Sequence, residues 1–263
     1  MSNKAIPALA WFVPLAPLAL AFAIYSGELQ SSSFLFVNQL ARSLPDTLWA
    51  WLTFLGNGWG VFAIAFPLLL LAPRILTAAI FAGALAAIVS IILKDYFDLP
   101  RPAGVLADGS FHRLGEPLLY NSFPSGHTLT AFAVVVALYF SCDKDKRKPM
   151  LLLFLIATLV GLSRSAIGAH WLTDVLGGAG FGIWCGMLGA LLARFIPERY
   201  FSIKGTWPRL VAIGGLVAIY AHLTQIMDHE LNLPLQYGSI AILFITLAFF
   251  IKAQLNTSLS KSE

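Results

Sequence analysis

Residues 75–93 read ILTAAIFAGALAAIVSIIL, and the next residue is Lys94. The run of 19 residues carries no charge. That is about the length an α-helix needs to cross a hydrocarbon core of about 30 Å. Working outward, comparable apolar runs lie near 5–25, 54–73, 124–141, 150–167, 171–193, 209–227 and 235–251. Together they predict an all-α, polytopic transmembrane bundle of about eight spans. Residues 28–53 break the pattern, because Gln30 to Ser33, Asn38, Gln39, Arg42 and Asp46 interrupt them. With Leu35, Leu40, Leu48, Trp49 and Trp51 they predict one helix in the interface plane near 34–52. Composition agrees: 58% of the 263 residues are hydrophobic and 11% charged, with a mean hydropathy of +0.79. Average soluble domains are about 25% charged. A soluble enzyme, a disordered chain and a nucleic-acid-binding domain are thereby excluded. Cys142 and Cys185 are too few for a disulfide framework. The first run, with Lys4 alone before it, predicts an uncleaved span rather than a signal peptide.

Eight spans put both termini on one side. Lys4, Arg74, Lys144, Lys146, Arg147, Lys148, Arg194, Arg199, Lys204, Arg209, Lys252 and Lys261 then share that side, twelve of the 17 cations. The positive-inside rule makes it cytoplasmic. Arg42, Lys94, Arg101, Arg113 and Arg164 fall on the opposite side. Of these, Lys94, Arg101 and Arg164 sit at span ends, where orientation does not ask for them. Charges there need a local reason. No linker or repeat divides the chain, so residues 1–263 are expected to form one integral membrane domain, in an inner membrane.

Three motifs at span ends supply the reason. Lys94-Asp95-Tyr96-Phe97-Asp98-Leu99-Pro100-Arg101-Pro102 puts two cations on a segment that its prolines stiffen. Ser122-Phe123-Pro124-Ser125-Gly126-His127-Thr128 opens the fourth span, and a helix N-terminus with uncovered amides favours anions. His127 lies within the first turn, placed to carry a proton. Ser163-Arg164-Ser165-Ala166-Ile167-Gly168-Ala169-His170-Trp171-Leu172-Thr173-Asp174 joins the fifth and sixth spans. Its His170 and Asp174 are four apart, on one helical face. A carboxylate on one ring nitrogen leaves the other free to attack. Topology drawn from hydropathy and loop charge alone places all three motifs on one face. Three cations, two histidines, a carboxylate and a helix start converge there. The ligand that satisfies them is a phosphate, and the chemistry is phosphoryl transfer.

Lys-x6-Arg-Pro, Pro-Ser-Gly-His and Ser-Arg-x5-His-x3-Asp, in this order, resemble the three signature motifs of the type 2 phosphatidic acid phosphatase superfamily. The resemblance spans residues 94–174 with every signature position filled. It implies that Lys94, Arg101 and Arg164 bind the phosphate oxygens with Ser125 and the Gly126 amide. It implies further that His170 attacks phosphorus to form a phosphohistidine, that Asp174 orients it, and that His127 protonates the leaving group. No metal or other cofactor is implied, and no carboxylate cluster at the motifs resembles a magnesium cage. Integral members commonly have six spans. A catalytic core of about 54–193 is therefore expected, with 209–251 as an additional transmembrane hairpin.

The expected substrate is a lipid phosphate taken from the bilayer: undecaprenyl pyrophosphate, phosphatidate, phosphatidylglycerophosphate or a lipid A phosphate. A lipid-to-lipid phosphotransferase with the same intermediate is the alternative enzyme. A phospholipid-binding protein or transporter is the alternative of another class, disfavoured because binding alone needs only the cations. His112 and Arg113, between the first two motifs, read first as a solvated loop and second as headgroup contacts. His222, Asp228, His229 and Glu230 read as a hydrated loop rather than a metal site. The glycines of the sixth span, Gly177 to Gly189, read as packing positions.

Overall fold

A computed structural model of the chain describes residues 5–259. Lys4 and Lys261, two of the cations assigned to the cytoplasmic side, lie outside the described residues. Among the described residues twelve α-helices follow in order: α1 (Leu15–Ser26), α2 (Gln30–Ala41), α3 (Asp46–Phe54), α4 (Gly58–Ala65), α5 (Leu68–Leu71), α6 (Pro73–Phe97), α7 (Pro102–Val105), α8 (Gly126–Ser141), α9 (Arg147–Ala166), α10 (Leu172–Arg194), α11 (Thr206–Thr224) and α12 (Leu233–Leu259). No strand occurs among the described residues.

The centre is the triple contact of α6, α8 and α10. Small residues make it close. Ala78, Ala82 and Ala86 of α6 meet Leu129, Ala133 and Ala137 of α8 and Cys185 of α10 in one buried cluster. A Cβ on Gly182 would lie 2.5 Å from the Leu129 carbonyl oxygen, and one on Gly189 2.6 Å from the Ala82 nitrogen. In lipid, where apolar burial does not drive helices together, such backbone approach does. The glycines of the sixth span are thus packing positions.

Among the described residues, length and apolarity qualify five stretches to cross a membrane: Ala8–Ser26, Pro73–Val105, Lys144–Ala166, Leu172–Arg194 and Glu230–Asn256. A sixth is reached if α3 and α4, bent by 70°, form one span. The expected eight are not reached on these grounds, for local reasons. The run 54–73 is broken at the Asn57 N-cap of α4 and again near Pro67 and Pro73. α8 has 16 residues, roughly 24 Å at the helical rise, short of the core thickness. α11 carries Arg209 in its first turn and His222 in its last.

The stretch 34–52 is likewise two helices, not one. Pro45 precedes Asp46 and starts α3 afresh. Phe34 and Asn38 of α2 and Ala50, Thr53 and Phe54 of α3 are buried, so both helices pack inward. α11 and α12 pack on each other and on α4 and α5, around Phe66, Leu69, Val211, Ala218, Leu243 and Leu247.

α6 and α9 end where α8 and α10 begin. The end of each of the first pair therefore meets the start of each of the second at one end of the bundle. The α8–α9 connection with Lys144 and Lys146, and the first turn of α9 with Arg147 and Lys148, are at the other end.

Candidate active site

The motif residues come together at that shared end. α6 stops at Asp98, which caps the helix in a left-handed conformation (φ 38°) and donates its N–H to the Lys94 carbonyl. The chain then runs extended beside residues 119–122. Arg101 N donates to Leu119 O at 2.8 Å and Ser122 N to Leu99 O at 2.9 Å. This two-segment clasp aims the cations. Lys94 Nζ donates to Asn121 O at 2.5 Å, and Arg101 Nε to Tyr120 O at 2.8 Å. Arg101 Nη1 reaches Ala169 O at 3.0 Å and His170 Nε2 at 3.2 Å.

His170 is buried between α9 and α10. Its Nδ1 lies 3.1 Å from Asp174 Oδ2. A carboxylate only accepts and a guanidinium only donates. The two contacts therefore fix one tautomer, with the proton on Nδ1 and the lone pair on Nε2 facing Arg101. Asp174 Oδ2 also accepts from Ser122 Oγ at 2.5 Å and from Trp171 N at 2.9 Å, so its position is set from three directions. Burial lowers the His170 pKa well below an ordinary histidine's, and the charges of Arg101, Arg164 and Lys94 lower it further.

Arg164, at the end of α9, is 5% exposed. Its Nη1 is 3.4 Å from Thr53 Oγ1, and its buried Nε has no hydrogen-bond partner among the described residues. Lys94, Arg101 and Arg164 make no ion pair within 4 Å among the described residues. Three unpaired cations around one neutral imidazole are costly unless an anion joins them.

Ser125 is the N-cap of α8. It is fully buried, and its Oγ accepts from Thr128 Oγ1 at 2.9 Å. Its hydroxyl is therefore committed to starting the helix. The Gly126 amide follows at the helix N-terminus, where the dipole favours negative charge. Ser125 N donates to Asp174 O at 3.0 Å, tying the start of α8 to α10. His127 Nε2 lies 3.0 Å from Asp228 Oδ1.

His112 and Arg113 are not brought to the cations. His112 Nε2 pairs with Asp46 Oδ1 at 2.7 Å and Arg113 Nη1 with Asp108 Oδ1 at 3.1 Å. Both line, with Arg42, a separate cavity of about 370 Å³. Their loop is anchored rather than freely solvated: Asn38 Oδ1 accepts from His112 N, while Asn38 Nδ2 donates to His112 O, Ser165 O and Ala166 O. The expectation of a hydrated loop also fails at Asp228, whose side chain is 15% exposed. Burial would raise its carboxyl pKa. The charge and hydrogen bond of His127, with Arg164 and Asn57, outweigh that and hold it at about 2. Sequence reasoning did not find Ser122, Thr53, Asn38 or Asp228 as parts of the site. Only Ser122, inside a quoted motif, carried any signal.

The pattern that defines the PAP2 superfamily matches residues 75–201. A lipid A 1-phosphatase of Porphyromonas gingivalis is 41% identical over 110 residues, covering 40% of this chain and 24% of that protein. Phosphatidylglycerophosphatase B of Bacillus subtilis is 36% identical over 101 residues, 35% of this chain and 45% of that protein. The chain thus spans less than half the length of these two curated relatives. Among solved structures, Aquifex aeolicus LpxE aligns with a TM-score of 0.55 and 33% identity over 61% of this chain and 94% of that one. The Bacillus subtilis PAP2 type phosphatidylglycerolphosphate phosphatase aligns with a TM-score of 0.54 at 23% identity, a likeness of fold, over 71% of this chain and 98% of that one.

Proposed function

From the premise that the chain belongs to the PAP2 superfamily, we propose that it is an integral membrane phosphatase that hydrolyses a lipid phosphate monoester or pyrophosphate through a phosphohistidine. The observation that carries the proposal is the set of three carboxylate-free cations, Lys94, Arg101 and Arg164, around an imidazole with a fixed tautomer. A phosphate dianion satisfies the cations, and its phosphorus meets the lone pair of His170 Nε2. The same cations oppose the charge that develops on the equatorial oxygens during transfer, where most of the rate effect of such sites arises.

The steps follow from the residues. His170 Nε2 attacks phosphorus, and the P–O bond to the lipid breaks. The leaving oxygen takes the bonding pair and a proton from His127. Water then attacks the phosphohistidine, giving a proton back to His127, and the P–N bond electrons return to the ring. Asp174 keeps His170 in the attacking tautomer throughout. The Gly126 amide at the start of α8 contributes to the phosphate cradle, and Ser125 holds that helix start in place. His112 and Arg113 serve the headgroup from the neighbouring cavity.

The names of the relatives favour lipid A 1-phosphate and phosphatidylglycerophosphate as substrates, with undecaprenyl pyrophosphate and phosphatidate also fitting the chemistry. The loop charges support cytoplasmic termini in an inner membrane and a site on the extracytoplasmic face. The core is about 54–193, and 209–251 is an added hairpin. The purified chain, assayed against these four lipids, releases inorganic phosphate without an acceptor lipid, and His170→Ala abolishes the release while lipid binding persists. In sealed spheroplasts the phosphate appears in the outer medium. Turnover by His170→Ala, or transfer only to a second lipid, contradicts the proposal.

A further inference from the structure

We infer that Asp228, from the turn between α11 and α12, is a positioning residue for His127 that holds the imidazole and its proton in place for the leaving group. The inference rests on the phosphohistidine reading above. Asp228 lies beyond residue 201, where the family match ends, and so belongs to a part of the chain the family pattern does not describe.

Both of its oxygens are engaged. Oδ1 faces His127 Nε2 at 3.0 Å, and Oδ2 accepts from Asn57 Nδ2 at 3.1 Å. Asn57 is itself fixed, because its Oδ1 caps α4 by accepting from Trp59 N and Gly60 N. The turn is built to present the carboxylate. Asp228 adopts a left-handed backbone (φ 64°). On one side of it, Met227 N donates to Gln236 Oε1 and Met227 O accepts from Asn232 Nδ2. Gln236 Nε2 donates in turn to His222 O and Gln225 O. Trp51 of α3 donates to Leu231 O from outside.

The two histidine–carboxylate pairs are complementary. Asp174 takes Nδ1 of His170 and leaves Nε2 for phosphorus. Asp228 takes Nε2 of His127, and Nδ1 has no hydrogen-bond partner among the described residues. That edge is left for the substrate oxygen. The charged and titratable groups around His127 are Arg164 of α9, Arg101 after α6, and Asp228 and His229 of the α11–α12 turn. With Nε2–H facing Asp228, a proton for the leaving oxygen sits on Nδ1 as well, so His127 acts as an imidazolium whose counter-charge is the Asp228 carboxylate. Asp228 is ionised at neutral pH, since its pKa is held at about 2.

A positioning role for a general acid is read by leaving-group dependence. An alkoxide needs the proton to depart, whereas a nitrophenolate leaves without it. The full chain in detergent is assayed on phosphatidate and on nitrophenyl phosphate. Asp228→Asn is expected to lose about tenfold to a hundredfold in kcat on phosphatidate. Its burst of nitrophenolate, which reports the first chemical step before water attacks, keeps the wild-type rate. His127→Ala shows the same loss on phosphatidate and also slows nitrophenyl phosphate turnover at the water step, and Asp228→Glu recovers part of the Asp228→Asn loss. If Asp228→Asn does not fold, Asn57→Ala, which frees the second oxygen, is expected to shift the ratio of the two rates in the same direction. Slowing of the nitrophenolate burst equal to the loss on phosphatidate, or no slowing of either, with His170 still essential, overturns the Asp228 inference alone. Activity that does not depend on His170 overturns the reading beneath it as well.

Discussion

The proposed role of His170 as nucleophile rests on its burial and on the cations around it. Loss of water, then Arg101, Arg164, Lys94 and His127, all disfavour its charged form, so its pKa lies well below 6.5. A lowered pKa keeps the ring neutral as pH falls through the ordinary histidine range of about 6.5. Nitrogen NMR of the histidine-labelled chain is therefore expected to show His170 as a neutral, Nδ1-protonated ring across that range. Protonation centred near the ordinary value contradicts this account of the nucleophile. At this scale the sequence was legible wherever spacing encodes a contact. His170 and Asp174 meet because four residues make one helical face, and Pro-Ser-Gly announces a helix start. Ser122 on Asp174, Thr53 on Ser163 and Arg164, and Asp228 on His127 join residues 52, 110 and 101 positions apart in the first, second and last cases. Such contacts are made by tertiary packing, and no local periodicity reports them.

Helices α8 and α10 meet through glycine, and substitutions there separate packing from flexibility. A Cβ on Gly182 would press on backbone, the Leu129 carbonyl at 2.5 Å, which cannot rotate away. Gly182→Ala is expected to cost about 1–3 kcal/mol, the range for overpacking. Gly83 of α6 has nothing within 4 Å of its would-be Cβ. Gly83→Ala is expected to be neutral or to stabilise by up to about 1 kcal/mol. Thermal unfolding in one detergent measures both, and equal shifts would contradict the packing described. The hydropathy reading found each of these helices because long apolar runs are unambiguous. It failed between 28 and 73, where short helices are joined at Pro45, at Asn57 and at Pro67. There the chain turns inward to place Thr53 and Asn57 against the site, and turn chemistry outweighs apolar content.

The whole molecule uses its few charges in two ways. The α8–α9 connection and the first turn of α9 collect Lys144, Lys146, Arg147 and Lys148 at one end of the bundle, while Lys94, Arg101 and Arg164 gather at the other around His170. This division was readable from loop charge and motif order together, because alternating helices send every second connection to the same end. Span alternation likewise put the turn after the seventh span at that end; what was not readable is that this turn sets Asp228 against His127. The central claim is that catalysis passes through a phosphate bonded to His170. Rapid acid-free quenching of the enzyme with a radiolabelled lipid phosphate, followed by peptide mapping, tests it most directly. The account predicts an alkali-stable, acid-labile label on the peptide containing His170, absent from His170→Ala. Turnover of the lipid with no label on the protein, or a label that survives in His170→Ala, would contradict it.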